Sequence, residues 1–114
     1  MIELPLKTIS EANARDHWSK KARRVKHHRS AARLLTQKAA RATALPVVVT
    51  LTRIAPSNGL DDDNLRSALK AIRDGIADAY GLDDRDPSIT WQYAQRRGTT
   101  YAVQVDIERK GEPA

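Results

Sequence analysis

The sequence predicts an α/β (α+β) fold: a mixed sheet of about four strands with two main helices packed on it, made by residues 1–114 as one domain. Three observations predict it. Val47 to Ile54 reads V-V-V-T-L-T-R-I, a β-branched apolar run. Stretches with apolar residues at three-four spacing lie before and after that run. Two alternating stretches close the chain. The resulting order is β-α-β-α-β-β.

Ile2 to Thr8 alternates Ile2, Leu4 and Leu6 with Glu3, Pro5 and Lys7, the period of a strand. Pro5 removes a ladder donor and assigns that strand to an edge. Ser10 to Asp16 reads as a connector. A long helix is expected from Asp16 to Arg41, with Trp18, Ala22, Val25, Ala32, Leu35 and Ala39 as its buried stripe. Leu45-Pro46 closes it, because the residue before proline avoids the helical region. Val47–Ile54 follows as the central strand, and Pro56-Ser57-Asn58-Gly59 is turn chemistry. The second helix runs from Asn64 to Tyr80, capped by Asp63 and ended at Gly81. Leu65, Leu69, Ile72 and Ile76 form its core stripe, and Asp63, Ser67, Lys70 and Asp74 the opposite one. Ile89–Arg97 and Tyr101–Arg109 are the last strands, with Gly98-Thr99 suited to a hairpin between them. The tail from Lys110 is expected to be disordered.

The chain carries a net charge of +6 and no cysteine. Disulfides and Cys-based zinc sites are thereby excluded. No apolar run approaches the roughly 18–20 residues of a membrane span. Met1 to Lys7 lacks the form of a signal peptide. These features lead to the expectation of a cytoplasmic protein without a membrane partner. The charge is uneven. Arg15 to Arg41 holds ten Lys or Arg and one acid, Asp16. Such a basic element beside an acidic cluster is the footprint of nucleic-acid binding, against the plainer reading of a basic soluble surface.

Asn58 to Pro87 is the opposite case, with eight of the fourteen acidic residues. Asp61-Asp62-Asp63 and Asp83-Asp84-Asp86 flank the second helix. In extended chain Asp61 and Asp63 point to the same side. Two converging carboxylates suit a hard cation such as Mg²⁺ or Mn²⁺. The competing readings are an Asp-rich turn and a simple cap at Asp63. An EF-hand loop fails, because Leu65 fills its third ligand position.

The run Asp61-x-Asp63-Asn64-Leu65, then Lys70, Asp74-Gly75-Ile76 and Gly81-x-Asp83-Asp84, resembles the signature of the RusA-type Holliday junction resolvases (crossover junction endodeoxyribonucleases). Asn13 is similar to an Asn that family members carry near the N-terminus. The resemblance is specific in the middle third of the chain. It implies that Asp61, Asp63 and Asp84 gather Mg²⁺ in an active site; Asp83, beside them, is expected to hydrogen-bond around it. It implies a homodimer that binds four-way DNA junctions and makes paired symmetric nicks, with no small-molecule cofactor. In one respect the chain departs from the pattern. The family's lysine position, four after the second Asp, is Ser67 here. Lys70 lies one helical turn further on the same stripe and is expected to act as the electrostatic catalyst, with Arg66 as the other candidate.

The basic helix then has phosphates to hold. Lys20, Lys21, Arg23, Arg24, Lys26 and Arg29 are assigned to backbone contacts with DNA, with Asn13 beside them and Arg96-Arg97 in support. His27 and His28 are expected on the solvated face, Trp18 in the core, and Trp91 and Tyr93 in the core or a dimer interface. Other functions stay open at this stage: a DNA-binding protein of the same fold without efficient cleavage, a nuclease for other branched DNA, and an acidic-loop assembly protein without metal.

Overall fold

The computed structural model describes residues 1–10 and 17–111. Six elements follow in order: β1 (Ile2–Leu4), α1 (Trp18–Ala42), β2 (Val47–Ala55), α2 (Asp62–Ala79), β3 (Ile89–Arg97) and β4 (Ala102–Arg109). The strands form one mixed sheet in the order β1-β4-β2-β3. Both helices pack on one face of it. The expected α+β fold is therefore present, with β1 on an edge and β2 inside. No helix among the described residues is long and apolar enough to cross a membrane.

β2 sets the layers. Val47, Val49, Leu51 and Arg53 are buried on the side the helices cover, and Val48, Thr50 and Thr52 are half-buried on the other. Parallel β3 lies on one side of β2, with Val47 opposite Ile89 and Leu51 opposite Tyr93. Antiparallel β4 lies on the other side, with Leu51 opposite Val105. α2 is the crossover that parallel neighbours require. Leu65, Leu69, Ile72 and Ile76 are all buried, as the helical period demands.

The expected β3–β4 hairpin does not form. β2 lies between the two strands, and residues 98–101 pass over its end. Gly98 donates its N–H to the Ala55 carbonyl at 3.1 Å. A Cβ on Gly98 would come within 2.5 Å of Ile54 Cγ2. Glycine is present here because the loop presses against β2, not because a tight turn needs it.

α1 is turned relative to its expected stripe. Its buried residues are His28, Ala32, Thr36 and Ala40, while Trp18 is 74% and Leu35 51% exposed. His27 is exposed as expected and His28 is not. The cause is the close approach of α2: a Cβ on Gly75 would fall 2.3 Å from the Arg29 carbonyl oxygen and 2.8 Å from Ala32 Cβ. Only a small residue fits at that crossing, and Ala32 fills it while Trp18 and Leu35 are turned outward. Thr36 meets its own need by donating to the Ala32 carbonyl at 2.6 Å. The tail is tied further than expected, since Lys110 donates its N–H to the Pro46 carbonyl at 2.8 Å and its ammonium to Thr90 Oγ1 at 3.2 Å.

Candidate functional site

The first acidic cluster sits at the start of α2. Asp61, not Asp63, is the cap: its carboxylate accepts the Asn64 N–H at 2.9 Å from an extended backbone. Asp62 and Asp63 lie in the first turn, where negative charge suits the helix N-terminus. Asp61 and Asp63 therefore do not share one extended strand. All three carboxylates are exposed. Two devices fix this corner. Gln95 on β3 holds the peptide before it, accepting the Leu60 N–H at 2.9 Å and donating to the Leu60 carbonyl at 2.6 Å. Ser10 donates to Asn64 Oδ1 at 2.6 Å, bringing the N-terminal segment to the same place.

The second acidic cluster folds back onto α2, seven residues or about 10 Å along the helix from Asp63. Asp84 Oδ2 lies 2.8 Å from Lys70 Nζ, which also donates to Asp74 Oδ1 at 2.7 Å. Lys70 thus bridges the acid one turn ahead of it and the acid of the returning loop. Burial alone would lower its pKa. The hydrogen bonds to Asp74 and Asp84 outweigh that and hold it above the ordinary lysine value.

Arg73 holds the loop from beneath. It donates to the Asp84 carbonyl at 3.1 Å and to the Tyr93 hydroxyl at 2.6 Å. Its Nε is 3.0 Å from Asp84 Oδ2, an ion pair in which the N–H is not aimed at the oxygen. The Trp91 indole N–H donates to the same Asp84 carbonyl at 2.8 Å. Nothing in the sequence singled out Arg73. The available signal was its place beside the core stripe, opposite two aromatics spaced two apart on β3. Asp83 points outward and accepts from the backbone and side chain of Arg85, which hold its pKa below the ordinary value.

The structure thus gathers Asp84 with Lys70 and Asp74, and leaves Asp61 and Asp63 apart at the other end of the stripe. Among the described residues no three acidic or histidine side chains converge on one point. Asp61, Asp63 and Asp84 are hard oxygen donors of the kind Mg²⁺ takes, set along α2 rather than gathered at one point. Ser67 and Lys70 line a crevice between α2 and α1, with Lys21 and His28 on its far wall.

The cations of α1 divide by position. Lys20, Lys21, Arg23 and Lys26 are exposed and Arg24 is half-buried. Lys20 and Arg24 share a cleft of about 500 Å³ with Lys7 and His27. Arg29 is committed to Asp78 by a bidentate pair at 2.7 and 2.9 Å. Asn13 lies outside the described residues. Arg96 and Arg97 are exposed at the end of β3.

No family model matches the chain. It is 40% identical over 91 residues to an uncharacterized protein of Xylella fastidiosa (strain Temecula1 / ATCC 700964), a match covering 71% of this chain and 56% of that protein. The chain thus spans about half the length of that relative.

The Arg29–Asp78 pair gives a measurable pH response. Its hydrogen bonds hold Asp78 below the ordinary carboxylate value. A depressed folded-state pKa adds stability above the unfolded value, and that stability is lost as pH falls through the folded value. The urea midpoint should drop as pH falls through and below the ordinary carboxylate range, and Asp78→Asn should shrink that drop. An unchanged acid limb in Asp78→Asn would remove the pair from the account.

Proposed function

We propose that the chain is a structure-specific, divalent-metal-dependent endodeoxyribonuclease of branched DNA. It would act as a homodimer on four-way junctions and nick opposed strands, as the resemblance to RusA-type resolvases implies. The observation that carries this reading is the return of Asp84 to α2, where it meets Lys70 at 2.8 Å. That return puts the second acidic loop and the candidate lysine on one helix face, next to α1. In this reading Lys20, Lys21, Arg23, Arg24 and Lys26 hold phosphates without reading bases. Lys70, kept protonated by its carboxylate partners, presents a fixed positive charge to the strand. Arg73 positions the loop that carries Asp84.

One observation favours a second reading, a DNA-binding protein of the same fold without efficient cleavage. Lys70 and Arg73 already neutralise Asp84, and Ser67 stands at the family's lysine position. A denaturing gel separates the two. The protein is incubated with a mobile four-way junction and with linear duplex, each with Mg²⁺, Mn²⁺ or EDTA. The nuclease reading expects metal-dependent nicks in the junction alone, lost in Asp63→Asn and Asp84→Asn. Tight junction binding without nicks under any metal establishes the second reading. In either case affinity falls steeply with salt, because bound cations displace counterions. Affinity equal at low and moderate salt would overturn both.

A further inference from the structure

β3 is an edge of the sheet, paired to β2 alone. A groove of about 560 Å³ runs along that edge against the first turns of α2. The volume lies within the roughly 300–1,000 Å³ of small-ligand sites. Its lining includes Trp91 and Tyr93, Thr50 and Gln92, and Asp62 and Arg66. The two aromatics project toward α2, where each ring meets a guanidinium. Arg73 lies 5.0 Å from the Trp91 ring centre and Arg66 lies 5.6 Å from that of Tyr93.

The two arginines are not equivalent. Arg73 is fixed by the Tyr93 hydroxyl and the Asp84 carbonyl. Arg66 is exposed, and the Tyr93 ring is its partner. A planar cation resting on an aromatic face occupies the place a stacked base takes, and it can swing to a phosphate. Gln92, between the two aromatics, turns to the opposite face of the strand, where it accepts from Thr50 Oγ1 at 3.2 Å. Asp62 adds a carboxylate acceptor. Aromatic faces, an exposed guanidinium and a carboxylate suit an unpaired base with its phosphate.

We propose that this groove binds one unstacked nucleotide of the DNA strand, with its base on Tyr93 and its phosphate on Arg66. The proposal rests on the DNA reading above and adds a substrate contact to it. Because Asp62 lines the groove between Asp61 and Asp63, the bound nucleotide would lie next to the proposed cleavage region. Asp62 then bears on which base is accepted there. A strand opened at a branch point supplies such a nucleotide and intact duplex does not. Arg96 and Arg97 along the same edge draw an anion and oppose a second copy of this basic chain.

The test uses Trp91 as reporter. Trp18→Phe removes the other, exposed tryptophan. Titrating that protein in EDTA with a short single-stranded deoxyoligonucleotide should quench Trp91 emission saturably. Arg66→Ala should reduce the depth of quenching at saturation and weaken binding several-fold. Arg23→Ala, of equal charge change on α1, should weaken binding but leave the depth of quenching intact. Asp62→Asn, in the first turn of α2, should change the ranking of oligo-dA, oligo-dC and oligo-dT. No quenching, or equal effects of Arg66→Ala and Arg23→Ala, overturns the proposal. So does emission that changes with protein concentration alone, which would make the groove an interface between copies. The titration contains no metal, so a failure of junction cleavage leaves it readable, and cleavage that persists without quenching sinks the groove alone.

Discussion

Gly75→Ala should destabilise the protein by about 2 kcal/mol or more, although alanine is the better helix former. Alanine gains about 1 kcal/mol of helix propensity at an unconstrained position. Position 75 is constrained. The added methyl would fall 2.3 Å from the Arg29 carbonyl oxygen and 2.8 Å from Ala32 Cβ. Real Cβ atoms do not approach backbone so closely, and a carbonyl within a helix cannot rotate away. The two helices must separate, and a seam built from Ala32, Thr36 and Ala40 has no long side chain to refill the gap. The urea midpoint measures the loss. Stability equal to or above that of the parent would mean that the helices do not cross at Gly75.

Arg73→Ala should have the second large effect, a loss of about 2–3 kcal/mol. The guanidinium serves four partners: the Tyr93 hydroxyl, the Asp84 carbonyl, the Asp84 carboxylate and the Trp91 ring. Its side chain is 22% exposed, so part of the charge interaction is screened and the lower end of the range for buried pairs applies. Truncation would leave the Asp84 carboxylate to Lys70 alone. Arg73→Lys should recover less than half of the loss, because an ammonium cannot reach the hydroxyl, the carbonyl and the ring together. Equal stability of the lysine variant and the parent would reduce Arg73 to a point charge. Trp91 emission should shift to longer wavelength in Arg73→Ala as the ring loses its cover.

These two residues show what the sequence disclosed and what it withheld. α2 was legible in its core stripe, though it starts two residues earlier than expected, at Asp62, with Asp61 rather than Asp63 as its cap. Its core stripe is four large aliphatics at helical spacing, and no other arrangement buries them together. α1 was legible as a helix but not in its facing. Hydrophobicity pointed to Trp18 and Leu35, whereas the close approach at Gly75 selects small residues. A seam governed by size rather than by apolarity leaves a faint trace in a sequence. Gly98 misled in the same manner: a glycine between two strands reads as a hairpin, and nothing local announces that Ile54 of a third strand is what it must clear.

The candidate site was legible in its parts and not in its assembly. The two acidic clusters stood out by charge alone, and Lys70 by its stripe. That Asp84 returns to Lys70 rather than to Asp61 and Asp63 depends on Arg73 and Trp91 gripping the Asp84 carbonyl. That grip joins residues from two elements through a main-chain atom. Side-chain patterning carries no record of such a bond.

The central place of β2 has a consequence for the chain while it is being made. Both neighbours of this strand, β3 and β4, are encoded after it. A ribosome that has delivered residues up to 88 has released Val47–Ala55 with neither edge satisfied. For that interval an apolar β-branched segment is open to pairing with another nascent chain. α2 emerges first and can shelter one face of it, but a helix cannot close a strand's edges. The covering of β2 is completed only by the final strand, so chains lost from translation before about residue 102 should be the aggregation-prone ones.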